Sequence, residues 1–409
     1  MRNRIIIGKP YVTYADNKAR LCSDIVLVNN ETKTLYYEVD KEFAKYFNDS
    51  NSDCFLVGLL NSAMFENSDI ECEGELSEQL LFQLQTYYIP LVSDLMSDMN
   101  AINVTARTTL NCVPNEGGVG TGNSGGVDST YTMLKYSKDN MRSFKLTHVL
   151  FTNISTNDIN DERIRSLFER DIPLKRQASE ELGLKFIALY TNLYQFYSHP
   201  GIFNHYFAQQ YCSAPLALGR LFKTYYFSST FKVNDFMMDE KKIVSSGRYD
   251  LFSLKTLSTP SLSFYSAGTE VDRMDKIDYF IDDEYAKKFL QVCSIEQSEG
   301  NTSDNVKLNC GYCNKCGRMI SVLYSSDKLD GYDGIFDLSH FYKNKAKFIG
   351  RNLEADQGAF AKKVEKLLKK NHKYPACTWF YRIIYRIRYK LAKNQSLVRI
   401  YHRLKGENT

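Results

Sequence analysis

The chain has 409 residues, of which 43% are apolar and 24% charged, and a formal net charge of +4. That length carries two or three domains with a sizeable core, and the balance is ordinary for a soluble globular protein. The opening Met1-Arg2-Asn3-Arg4-Ile5-Ile6-Ile7-Gly8 is too short in apolar length for a signal peptide, and no later run approaches membrane-spanning length, so a reducing cytoplasm is expected.

Residues 1–104 alternate apolar and polar in short runs. Ser23-Asp24-Ile25-Val26-Leu27-Val28-Asn29 and Thr34-Leu35-Tyr36-Tyr37-Glu38-Val39 read as strands, divided by a hairpin turn at Asn29-Asn30-Glu31. Helical patterns follow near residues 56–64 and 77–96, the second broken or kinked at Pro90. The expectation is a small N-terminal α+β accessory domain without evident chemistry, either a structural extension or a module that meets a substrate or partner.

From 105 to 354, strand-like and helical runs alternate. A first strand is expected at about 103–113, followed by a glycine-rich segment, Glu116–Asn123. Further strands are read at 145–153, 185–191, 226–230 and 261–266. Helices are read at 161–182, with a break at Pro173, and at 204–225, in two pieces meeting at Pro215. The alternation predicts an α/β domain built on a doubly wound parallel sheet, with ligands bound at the carboxyl ends of its strands. Asn153 and Asn192 each follow a strand and are candidates to line a nucleotide pocket; His205, Gln209 and Gln210 are candidates for the same cleft, and a polar helix face explains them equally well. Cys212 is the one cysteine outside the candidate metal set placed late enough in this domain to be considered as a nucleophile, although burial is the commoner fate of such a thiol.

Within this region Ser124-Gly125-Gly126-Val127-Asp128-Ser129 is the most informative string. A glycine-rich turn runs directly into an apolar-periodic helix (Tyr131, Met133, Leu134, Tyr136), and such a turn presents unpaired backbone N–H groups at the positive end of the helix dipole. Gly125 and Gly126 allow close approach of the backbone to a ligand, and Ser124 and Ser129 add hydroxyl donors. Asp128 would repel a phosphate unless a cation bridged them, which points to a magnesium-linked nucleotide. No G-x-x-x-x-G-K-[ST] string occurs, and Gly120-Thr121-Gly122-Asn123-Ser124-Gly125 meets G-x-G-x-x-G without the acidic residue a dinucleotide site wants at the end of the next strand. The string resembles the S-G-G-x-D-S signature of the ATP pyrophosphatase, or PP-loop, family. The resemblance implies a HUP-like α/β fold and transfer of AMP from ATP onto a substrate oxygen, with release of pyrophosphate.

A second signal lies in Cys293 followed by Cys310, Cys313 and Cys316. Two overlapping C-x-x-C units place three thiolates on one tight turn and a fourth arrives from upstream, the number and softness a tetrahedral structural zinc requires. Four thiolates also suit an iron–sulfur cluster, the competing assignment. The remaining cysteines lack paired spacing and read as reduced thiols.

A PP-loop followed by C…C-G-x-C-x-x-C is similar to the 7-cyano-7-deazaguanine synthases, over about residues 121–323. Carried across, the resemblance implies phosphate binding by Ser124, Gly125, Gly126, Val127, Asp128 and Ser129 and zinc binding by the four cysteines. It further implies that Ser266–Ile277 forms a basic stretch near the pyrophosphate. There Arg273 and Lys276 fall on one helical face, which suits two cations on one anion; a solvated helix start explains them as well. The chain departs from those synthases in its long segment before residue 124, in the glycine-rich stretch 116–123, and in the sixteen residues between Cys293 and Cys310.

The last region, 355–409, differs in kind. Between Lys362 and Lys405 stand fourteen Lys or Arg residues against one Glu, so this stretch carries +13 and the rest of the chain −9. Phe380, Ile383, Ile384, Ile387 and Leu391 recur at helical spacing, with Arg382, Arg386, Lys390 and Lys393 on the other faces and Trp379, Tyr381, Tyr385 and Tyr389 adding amphipathic rings. Such a helix docks on the acidic body of its own chain or on a partner, lies on an anionic membrane surface, or contacts nucleic acid, in that order of expectation.

The whole is expected to be a cytoplasmic homo-oligomer, with a place on the inner membrane face left open to the tail. It would be an adenylating ligase using ATP, Mg2+ and Zn2+, with Asp128, Ser129, Arg273 and Lys276 as catalytic residues and Asn153 beside the nucleotide. Its acceptor would be a carboxylate or amide oxygen on a deazapurine, protein or peptide. The alternatives are a sulfur-transferring RNA-modifying enzyme, in which Cys212 carries the sulfur, and a nucleotide-sensing subunit of a larger assembly.

Overall fold

The computed structural model describes residues 3–154, 162–197, 207–236, 246–293, 307–355 and 358–393. The chain divides into two compact units, one made of residues 1–124 and 128–272, the other of 125–127 and 273–409.

The first unit is α/β. Its strands are β1 (Arg4–Ile7), β2 (Tyr11–Ala15), β3 (Lys18–Val26), β4 (Thr32–Asp40), β5 (Asp69–Cys72), β6 (Leu76–Ser77), β7 (Val104–Thr105), β8 (Thr108–Thr109), β9 (Gly118–Gly122), β10 (His148–Thr152), β11 (Lys185–Thr191), β12 (Phe222–Ser228) and β13 (Ser263–Ala267). Eleven of them form one mixed, mostly parallel sheet in the order β13-β12-β9-β10-β11-β4-β3-β1-β5-β7, with β2 against β3, while β6 and β8 pair separately. From β13 to β11 every pairing is parallel. The chain leaves β9 toward β10 and β11, then returns to the other side of β9 for β12 and β13, so the order reverses at β9. Both faces of this half are covered. On one, Tyr136 stacks on Tyr226 and Phe151 on Phe168; on the other, helix Phe207–Ala217 packs over β12 near Tyr225.

The antiparallel hairpin of β3 and β4 turns at Asn30, which holds a positive φ of 62°, as the Asn29-Asn30-Glu31 reading requires. Period-2 alternation buries Leu35, Tyr37 and Val39 on one face of β4. The sheet and its hydrophobic core run across residue 104 without a break, from Ile5 to Phe264, and the division into units falls after Asp272. The physical reason is the antiparallel pairing of β4 with β11, through Tyr190–Glu38 and Thr191–Tyr37. Asn192 prolongs that seam with its side chain, accepting from Tyr36 N at 3.0 Å and donating to Thr34 O at 2.9 Å.

Pro90 leaves its mark as expected. Helix Glu78–Gln83 widens into a π turn over Leu84–Tyr88 before Ile89–Leu95, because proline brings no N–H for residue 86 and its ring pushes that carbonyl away. Pro173, by contrast, sits inside an unbroken helix, Glu162–Glu181. The helix expected at 204–225 ends at Ala217, with Pro215 inside it. Strand β12 then begins at Phe222, because Phe222-Lys223-Thr224-Tyr225-Tyr226 carries aromatic and β-branched residues that favour the sheet.

The second unit is helical, comprising Arg273–Phe280, Glu284–Phe289, Asn314–Ser325, Ser339–Lys343, Lys345–Ala355, Ala359–Lys370 and Thr378–Lys393. The basic tail belongs to it. A Cβ on Gly350 would stand 2.9 Å from Tyr381 Cβ, so helices Lys345–Ala355 and Thr378–Lys393 meet backbone to backbone at a glycine. No described helix is long and apolar enough to cross a membrane.

Candidate phosphate loop and metal centre

The strand that delivers the S-G-G-x-D-S string is β9, and it consists of the glycine-rich stretch itself. The strand expected at 103–113 is in fact two pieces of two residues each, β7 and β8. Gly118–Gly122 lies at the centre of the parallel half because its bare backbone makes room for its neighbour. A Cβ on Gly120 would lie 2.5 Å from the Phe222 ring and 2.8 Å from the Tyr225 ring. The strand therefore runs straight into Asn123 and Ser124, and helix Val127–Ser137 follows.

Ser124–Ser129 thus occupies the carboxyl end of the strand at which the sheet order reverses, where open α/β sheets leave a crevice for ligands. Gly125 takes a φ of +76°, which glycine adopts freely. The Oγ atoms of Ser124 and Ser129 lie 3.0 Å apart, drawing the two ends of the string together. Asp128 is half-buried in the first helical turn, at the positive end of the dipole.

Lys175, not singled out in the sequence, belongs to this site. It lies on helix Glu162–Glu181, is 3% exposed, and donates from Nζ to Ser124 O at 3.0 Å. Burial lowers its pKa to about 8, against the opposing charge of Asp171. The signal available in the sequence was a lysine two residues after Pro173 on an otherwise charged helix, which gives no warning of burial. Glu270 also acts here. It accepts from Tyr131 Oη at 2.8 Å and pairs with Lys135, tying the segment after β13 to helix Val127–Ser137. These partners hold its carboxyl below the ordinary range in spite of desolvation.

The other candidates are placed as follows. Asn153 is 2% exposed and closes two hydrogen bonds of 2.8 Å on the backbone of Thr191, bracing the ends of β10 and β11. Asn192 braces β11 against β4. Gln209 accepts from Asn61 Nδ2 at 3.1 Å, and Asn61 in turn accepts from Tyr88, so Gln209 belongs to a buried polar contact between helices Asp53–Phe65 and Phe207–Ala217. Gln210 is equally buried, and His205 lies outside the described residues. Cys212 is 2% exposed and desolvation pushes its thiol far up, away from the thiolate a nucleophile requires. Arg273 and Lys276 share helix Arg273–Phe280, and Lys276 is 1% exposed, which excludes a solvated helix start for that side chain.

In the second unit the four cysteines converge. All four Sγ atoms lie within 4.8 Å of one another; Cys293 and Cys313 are 4.0 Å apart, Cys310 and Cys316 3.9 Å. A single ion with Zn–S of about 2.3 Å in tetrahedral geometry sets an edge of about 3.8 Å. The observed spacing is close to that edge and far from a disulfide. An iron–sulfur cluster attaches its cysteines to different irons and spreads them wider than one ion does. The donor set and its spacing therefore suit one zinc-sized ion.

The surroundings impose this convergence. Cys313 caps helix Asn314–Ser325, its sulfur accepting from Cys316 N at 3.4 Å. Gly311 has φ +72°, and a Cβ there would fall 1.6 Å from Asp337 O. Asn309, fully buried, bridges the sixteen-residue gap. Its Oδ1 accepts from Val292 N at 2.8 Å and Cys293 N at 3.1 Å, and its Nδ2 donates to Leu290 O at 2.8 Å.

No family model, curated protein or solved structure gives a significant match to this chain.

Proposed function

We propose that this protein is an ATP- and magnesium-dependent enzyme of the PP-loop type that adenylates a carboxylate or amide oxygen. The observation that carries the reading is the position of Ser124–Ser129, a glycine–serine turn opening a helix at the carboxyl end of the strand where the sheet reverses. On this reading the loop amides, Ser124 and Ser129 hold phosphate oxygens, Asp128 holds the magnesium that offsets their charge, and Asn153 stands beside the nucleotide. Arg273 and Lys276 supply positive charge to the departing pyrophosphate. The acceptor oxygen attacks the α-phosphorus, the bond to the β-phosphate oxygen breaks, and pyrophosphate leaves with the electron pair. A nitrogen nucleophile, ammonia being the simplest, then attacks the activated carbon and displaces AMP. Prearranged donors act by stabilising charge as it develops on the leaving group. The four thiolates hold a structural zinc, a closed ligand set with no open position for chemistry. The acceptor class stays as broad as the motif allows, a deazapurine or a protein or peptide carboxylate.

The test is release of pyrophosphate and AMP from labelled ATP with Mg2+, with candidate carboxylates, ammonia or cell extract. The reading expects both products, and their loss in Asp128→Asn with the fold kept. ADP and phosphate as products, or ATP binding without turnover under every condition, would replace it with a hydrolase or a nucleotide sensor. The buried, protonated Cys212 weighs against the sulfur-carrying alternative.

A further inference from the structure

We propose that helix Thr378–Lys393 seats this protein on an anionic lipid surface. The sequence pattern allowed its basic residues to face outward, but the structure uses two of them inward. Arg382 pairs with Glu354 at 2.7 Å and Glu365 at 2.8 Å, and Arg386 with Glu354 at 2.9 Å. The Glu354 side chain is 2% exposed, and Gly350 receives Tyr381 closely from the same side. One face of the helix is thereby locked to its own unit.

The opposite face is apolar and open. Trp379, Phe380, Ile383, Ile387 and Leu391 are 46–62% exposed. At about 100° per residue they span an arc of about 120°, one continuous stripe rather than scattered side chains. The exposed cations Arg388 and Lys390 lie beside and within it. A large apolar stripe in water needs a cover, and its cationic setting selects one of negative charge. The chain beyond residue 393 adds Arg399, Arg403 and Lys405 against Glu407 alone. A second copy of this helix would bring two cationic rims together, whereas a bilayer of anionic lipid satisfies both stripe and rim. An indole at the edge of such a stripe suits the headgroup boundary.

Trp379 is the sole tryptophan of the chain, so its emission reports on this helix alone. The experiment mixes the full-length protein with phosphatidylcholine vesicles, with and without phosphatidylglycerol. We expect a blue shift and quenching by brominated lipid on the anionic vesicles, with affinity at least about tenfold weaker on neutral vesicles or at high salt. The doubly substituted Ile383→Glu, Ile387→Glu protein, altered only at exposed positions, should lose the shift and keep its Tm. The proposal is overturned by the absence of a shift on anionic vesicles, or by a shift the double substitution leaves unchanged. It is equally overturned if the same substitutions abolish a concentration-dependent dimer, which would make the stripe a protein interface.

Discussion

The ammonium of Lys175 donates to the backbone carbonyl of Ser124 at 3.0 Å, so the first residue of the glycine-rich loop is held by a nearly buried charge from the next crossover helix. Burial lowers that lysine to about 8, below the 10.5 it has in an unfolded chain. Between those values the unfolded state binds more protons than the native state, so this group makes stability rise with pH, by about 3 kcal/mol over the window as an upper figure. Lys175→Met removes the desolvated charge at similar volume. It should flatten the rise between pH 8 and 10.5 and leave Tm at pH 7 unchanged or higher. If the loop holds a nucleotide as proposed, its affinity should fall about tenfold because Ser124 loses its anchor. Chemical denaturation across pH and ATP titration check both; an unchanged pH slope refutes the assignment.

Gly120 faces rings, not solvent. An added methyl would lie 2.5 Å from Phe222 and 2.8 Å from Tyr225. Gly120→Ala should therefore cost about 1–3 kcal/mol through overpacking in the central strand. Combining it with Phe222→Leu should restore part of that loss. Urea unfolding of the two single variants and the double gives the coupling; simple additivity would mean that the rings do not set this glycine.

That strand explains why the sequence was legible in some places and silent in others. β11 and the hairpin of β3 and β4 stand out because alternating or continuous apolar runs report their burial directly. β9 carries one apolar side chain, Val119, since its neighbours Phe222 and Tyr225 fill the space, so hydrophobic patterning reads it as a loop. The cysteine cluster follows from local spacing, and only the contact that brings Cys293 to it is hidden. The continuity across residue 104 rests on one strand pairing, extended by an asparagine side chain, and on the packing of helix Asp53–Phe65 against helix Phe207–Ala217, long-range choices that no local window contains. The inward turn of Arg382 and Arg386 likewise depends on Glu354, 28 residues upstream of the first.

Asp53 is 2% exposed, accepts from Ser77 N at 2.9 Å and from Ser77 Oγ, and desolvation raises its pKa to about 6. A carboxyl raised in the folded state contributes stability that is full below about 4 and is lost as pH climbs through about 6, here on the order of 3 kcal/mol. Asp53→Asn keeps an acceptor for the amide and a donor for the hydroxyl. The variant should lose the decline between pH 4 and 6 and be the more stable protein at pH 7. Thermal melts at half-unit steps of pH decide it, and a wild-type profile that rises across this window in step with the variant's would exclude the assignment.

Asn309 holds Cys293 in place without being one of the four candidate ligands. Its Oδ1 fixes the backbone N–H groups of Val292 and Cys293, and its Nδ2 fixes Leu290 O, while its own main chain leads directly into Cys310. Asn309→Ala leaves two N–H groups and a carbonyl unpaired in the interior, at about 1–3 kcal/mol for such a buried loss, and frees the fourth ligand from the other three. Metal affinity should then fall by about 10–100-fold, the range for loss of a residue that orients a ligand. Cys293→Ser should lower it further while leaving Asn309 bonded. Elemental analysis of purified protein, with chelator competition, measures both. One zinc per chain in the wild type, released at lower chelator in Asn309→Ala and lower still in Cys293→Ser, is the expected ranking. Iron with sulfide in the wild type would reassign the site, and equal chelator resistance in Asn309→Ala would show that the three-cysteine turn positions Cys293 unaided.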